Sequence, residues 1–146
     1  MNIEEIEADI QKKAELGIIK TRDEIYNTIH KCLRMYYGEF DPNSYIRTFQ
    51  LLNSLVKVSG GLHAEVYFDA GALNYKNGTI ELKHTPTSGI YGFATWGSGE
   101  VLDTAMHGSH GGYVGGTAIW DDSMAELGDI VSLIVKELKA AGLPIH

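Results

Sequence analysis

The strongest structural pattern in this sequence lies at residues 123–141, which read SMAELGDIVSLIVKELKAA. Its apolar residues recur every three or four positions, the spacing of one buried face of a helix. They are Leu127, Ile130, Val131, Ile134, Leu138 and Ala141. We therefore expect a long C-terminal amphipathic helix over residues 121–142.

The ends of this predicted helix carry their own signals. Ser123 and Glu126 have the spacing of a capping box, in which the two side chains bond each other's backbone N–H groups. Gly142 and the proline that follows it are typical of a helix end. Inside the stretch, Gly128 costs roughly 1 kcal/mol relative to alanine. This cost makes Asp129 an alternative start for the regular helix.

The preceding region, residues 62–120, is expected to hold a small antiparallel sheet and glycine-rich loops. Apolar residues alternate with their neighbours over residues 63–69, which is the period of a half-buried strand. Asn77-Gly78 predicts a hairpin turn, because both positions of that turn need positive φ. In the register that this turn sets, Leu73 faces Leu82 across the ladder.

Weaker patterns follow the hairpin. Residues 90–96 are rich in aromatic and β-branched side chains and are compatible with a strand, as are residues 113–114 and 117–120. Residues 101–106 are compatible with a short helix. Of the 17 glycines in the chain, 13 lie between Gly60 and Gly116. We expect this segment to be loosely folded alone and to become ordered on contact with partners.

Residues 1–58 form the expected helical part of the chain. One stripe of helical spacing runs along its first turns and consists of Ile3, Ile6, Ile10 and Ala14. Gly17 is expected to interrupt this helix. Thr21 and Glu24 then have capping-box spacing, which predicts that a second helix starts there and ends near Gly38.

A third helix is predicted by Asp41 and Pro42, an acceptor side chain followed by a proline at the first helical position. Its apolar face would contain Tyr45, Phe49, Leu52 and Val56. The sequence therefore predicts two or three N-terminal helices, a small sheet and a C-terminal helix. This order is typical of an α+β fold, and the length of 146 residues favours one domain over residues 1–146.

Charge and composition exclude several classes of protein. The formal net charge is −7, of which −6 lies after residue 60, and such acidity disfavours general binding to nucleic acid. No apolar run approaches the roughly 18 residues of a membrane span, and residues 1–5 do not resemble a secretory signal. Cys32, the single cysteine, fits a reducing compartment. We expect neither sequence-specific nucleic-acid binding nor membrane insertion.

The best candidate for a chemical site is the pair His107 and His110. With Asp103 upstream, these side chains offer nitrogen and oxygen ligands of the kind that metals prefer, which would suit a small metal-dependent hydrolase. However, the surrounding glycines give such ligands no rigid support. Nucleophile-elbow and phosphate-loop motifs are missing as well. We therefore predict no enzyme activity, no metal site and no cofactor.

A family resemblance rests on residues 36–48, YYGEFDPNSYIRT, followed by LLNS at 51–54. This run resembles a pattern in minor tail or tail-completion proteins of long-tailed bacteriophages, Tyr…Pro-x-x-Tyr-x-Arg-Thr-x-x-Leu-x-x-Ser. The stretches at 107–112 and 138–143 are also similar to that group. The resemblance implies a structural virion protein that is made in the host cytoplasm and forms a ring at the head–tail junction. It implies no catalytic residue.

The expected function is therefore assembly: self-association into a ring, and docking to neighbouring tail or neck proteins. Tryptophan beside flexible loops often anchors a protein contact, and the histidine loop could form a subunit contact. The candidate contact residues are Arg47, Trp96, His107, His110 and Trp120. A small acidic binding or immunity module is a further alternative, in which the acidic second half would mimic a charged partner.

Overall fold

The computed structural model describes residues 2–38, 50–73, 78–82, 92–96, 106, 109–110, 113–114 and 118–146. The helices are α1 (Ile3–Gly38), α2 (Gln50–Asn53), α3 (Ile119–Leu127) and α4 (Ile130–Ala140), with a 3₁₀ turn at Ala70–Ala72. The strands are β1 (Leu55–Gly60), β2 (His63–Phe68), β3 (Gly78–Leu82), β4 (Gly92–Trp96), β5 (Ser109–His110) and β6 (Tyr113–Val114). The predicted α+β class is confirmed.

α1 is one continuous helix of 36 residues, so the predicted interruption at Gly17 is wrong. Gly17 is buried against α4, and this packing offsets the low helix propensity of glycine. Thr21 does not cap a second helix, because its Oγ1 donates a 2.9 Å hydrogen bond to the Gly17 carbonyl one turn earlier. The capping box lies at the start of α1 instead, where Asn2 and Glu5 exchange bonds of 3.0 and 2.8 Å.

The predicted long C-terminal helix is also wrong, since the long helix is N-terminal and the C-terminal region holds two shorter helices. Gly128 separates α3 from α4 with a φ of 68°, a conformation that favours glycine. Asp129 caps α4 by accepting hydrogen bonds from the backbone N–H groups of Val131 and Ser132. The alternative start at Asp129 is therefore confirmed. Ser123 is buried inside α3 and donates to the Ile119 carbonyl.

α4 runs antiparallel to α1. Leu138 lies against Gly17, and Gly142, just beyond α4, lies beside Lys13. Earlier in α4, Lys136 is bonded to Glu24, which is further along α1. Residues later in α1 therefore contact residues earlier in α4, which is the arrangement of an antiparallel helix pair.

β1 and β2 form an antiparallel hairpin in which Leu55 pairs with Phe68 and Gly60 with His63. The predicted alternation along β2 is confirmed: Ala64, Val66 and Phe68 are half-buried, while the residues between them are exposed. One face packs on α1, where the Lys57 ammonium sits 4.8 Å from the Tyr26 ring centre. Val56, predicted on a third helix, lies in β1; the predicted start at Asp41-Pro42 lies outside the described residues.

β3 pairs with β4, not with the segment that precedes it. Gly78 is opposite Trp96 and Leu82 opposite Gly92, so the predicted facing of Leu73 and Leu82 is wrong. Leu73 follows the 3₁₀ turn, outside any strand, and is buried. The residues just before Leu73 are therefore a 3₁₀ turn capped by Asp69 and not an extended strand. Residues 74–77, including Asn77 of the predicted turn, lie outside the described residues.

The other weak predictions have mixed outcomes. Strands are confirmed at Gly92–Trp96, within the predicted 90–96, and at Tyr113–Val114, which pairs with Ser109–His110. Residues 119–120 belong to α3 and not to a strand, because the Asp122 N–H donates a helical hydrogen bond to the Ala118 carbonyl. Met106 is helical, whereas residues 101–105 lie outside the described part.

The hydrophobic core lies beside the second half of α1, between the hairpin and α3. Its buried members are Ile29, Cys32, Leu33, Leu51, Leu55, Met106 and Ile119. Among the described residues every buried side-chain nitrogen or oxygen has a hydrogen-bond partner. The first half of α1 contributes nothing to this cluster. Within that half, Gly17 packs against Leu138 of α4.

Candidate interaction surfaces

The structure places only some of the predicted contact residues. Arg47 and His107 lie outside the described residues. Trp96 is the last residue of β4, and His110 pairs with Tyr113 in the short β5–β6 hairpin. Trp120 is the second residue of α3 and is 40% exposed, beside the buried Ile119.

The alternative metal site at His107, His110 and Asp103 lies mostly outside the described residues. Asp103 and His107 fall outside them, and His110 is the one member of the trio within them. No group of three or more histidine, cysteine, aspartate or glutamate side chains in the described ranges is arranged to hold a metal ion.

A shallow groove of about 480 Å³ lies between α1 and the two C-terminal helices. Its lining is polar and carries both signs of charge. Lys31 of α1 bonds Glu126 of α3, and this hydrogen bond raises the pKa of Lys31. Lys136 of α4 lies 3.2 Å from both Glu24 carboxylate oxygens, which raises the pKa of Lys136. These two ion pairs join α1 to α3 and α4 beside the groove.

A second charged cluster fastens the hairpin to α1. Burial raises the pKa of Asp23, but hydrogen bonds from Arg22 and Lys57 outweigh it and leave that pKa below its ordinary value. Arg22 also donates a 2.6 Å bond to Ser59 on β1. These contacts fix the position of the hairpin on the helix, and they occupy the cations that could otherwise bind an anion.

The most exposed apolar surface in the described residues lies on the first turns of α1. Ile3 is 74% exposed, Ile6 42% and Ile10 50%. The sequence pattern identified this stripe correctly but did not show whether the protein buries it. The spacing carried a further signal. Ile3, Ile6 and Ile10 are three and four residues apart, and no large apolar residue lies beside them on the helix, so they form a narrow stripe. Such a stripe is typical of a helix–helix seam rather than of a core-facing helix.

These first turns are regular helix although little packs on them. The Asn2–Glu5 capping box satisfies the first backbone donors. Asp9 and Lys13 form an ion pair of 2.6 Å, and Gln11 donates to Glu15 at 2.9 Å. Pairs four residues apart stabilise an exposed helix by about 0.2–0.5 kcal/mol each. The isoleucine stripe is thus presented on a well-formed helix.

The outward face of the β1–β2 hairpin carries a second apolar patch. Val58 is 40% exposed and Tyr67 43%, and Leu62 in the connecting turn is 61% exposed. His63 and Glu65 lie on the same side of β2 as Tyr67 and bond each other at 2.9 Å. The inward face of the same hairpin packs on α1, so the two faces have different roles.

Comparison with known proteins gives no match, whether with protein-family models, curated proteins or solved structures. Within the described residues, none of the helices combines the length and apolar character needed to cross a membrane.

Proposed function

We propose that this protein is a structural assembly subunit, acting through contacts with other protein chains. The observation that carries the proposal is that several large apolar side chains on regular helices and strands are exposed to solvent. Exposed contiguous apolar groups commonly mark protein contacts. Here they lie at separate places: the first turns of α1, the outward face of the hairpin and the start of α3.

We further propose that the assembly is a bacteriophage tail or head–tail junction. Support for this setting comes from the resemblance of residues 36–54 to minor tail and tail-completion proteins. In this role the subunit associates with copies of itself into a ring and docks to neighbouring tail or neck proteins. A ring needs heterologous contacts, in which two different faces of one subunit meet. Separate apolar faces on one subunit satisfy that requirement.

The net charge of −7 supports the same proposal. Repeated around a ring, such charge gives the lumen a negative potential that repels DNA phosphates and lets the genome pass without adhering. Trp120 is the proposed contact residue whose exposure is known, and tryptophan is among the residues most enriched in binding hot spots.

The proposal is tested by affinity purification from phage-infected cells that express a tagged chain, followed by mass spectrometry and electron microscopy. We expect tail or neck proteins to co-purify and ring-shaped particles to be visible. Trp120→Ala is expected to reduce co-purification at least about tenfold. Val131→Ala, a change at another exposed apolar side chain, is the matched control and is expected to have little effect. A chain that is absent from virions and recovers no phage protein would contradict the proposal.

A further inference from the structure

We draw no further inference here: the strongest candidate, the exposed apolar stripe of Ile3, Ile6 and Ile10 on the first turns of α1, carries none because nothing in the described part of the structure shows what covers it.

Discussion

At Gly17 the absence of a side chain lets α4 lie directly against α1. A Cβ added there would be 2.7 Å from Leu138 Cδ2 and 3.1 Å from Leu138 Cα. Rotation of the leucine side chain relieves the first contact, but the second involves backbone, so the helices would have to separate. Gly17 is therefore a packing residue rather than a helix breaker.

We expect Gly17→Ala to lower the free energy of unfolding by about 1 kcal/mol and Gly17→Val to lower it further. Overpacking costs about 1–3 kcal/mol, which exceeds the roughly 1 kcal/mol that alanine gains in helix propensity. Urea denaturation measures the change. Gly38→Ala, at the end of the same helix with nothing within 4 Å of its added Cβ, is the control and should cause no loss. A stabilising Gly17→Ala would contradict the packing role.

Two hydroxyl side chains, Thr21 and Ser123, show the limit of predicting helix caps from local sequence. Thr21 and Ser123 both have a glutamate three residues later, and both were predicted to cap helices. Each is instead buried inside a helix and bonds the carbonyl four residues earlier. Such hydroxyls cap or bond backwards depending on whether the preceding turn is already helical. Whether the preceding turn is helical depends on the packing around it, and the spacing of Ser or Thr and Glu in the sequence gives no information about that packing.

At the scale of elements, the break between α3 and α4 is set by two adjacent residues. Gly128 adopts the positive φ that ends α3, and Asp129 caps the next helix. Both signals were present in the sequence, which is why the start of α4 was predictable. The hydrogen bond from Ser132, followed by that from the Val131 backbone, lowers the pKa of Asp129.

This cap is expected to make the stability depend on pH. The pKa of Asp129 is lower in the folded chain than its ordinary value near 3.8. The stability that the ionised carboxylate contributes is therefore fully present above pH 3.8, and it is lost as the pH falls through the pKa of the folded state. Asp129→Asn keeps a capping side chain without the charge, so its unfolding midpoint should fall less steeply with acidification. Urea midpoints between about pH 5 and pH 2 measure this. Identical curves for Asp129→Asn and the unmodified chain would contradict this role of the cap.

At the scale of the whole molecule, Cys32 reports on the core. It is 2% exposed and packs in the cluster that joins α1, the hairpin and α3. Its thiol is reachable by a reagent only when these elements separate. Labelling of this residue therefore measures the opening of the protein rather than the motion of one loop.

We expect Cys32 to react with a thiol reagent far more slowly in native buffer than in urea, with a rate that follows the unfolding transition. Val131→Cys adds an exposed thiol on α4 as an internal control. That variant should react in two phases, one fast and one as slow as the unmodified chain. Rapid labelling of Cys32 in native buffer would show that the core opens locally.

The sequence by itself determined the α+β class, the alternation along β2, the start of α4 and the apolar stripe on the first turns of α1. All of these depend on neighbours within a few positions, where backbone geometry makes periodicity informative. Tertiary structure alone decided that α1 is continuous, that β3 pairs with β4, and that the isoleucine stripe stays exposed. Periodicity shows which face of an element is apolar, whereas covering that face depends on the length and direction of a distant partner. α4 ends at Ala140, Gly142 just beyond it lies beside Lys13, and Ile3, Ile6 and Ile10 on the preceding turns of α1 are exposed.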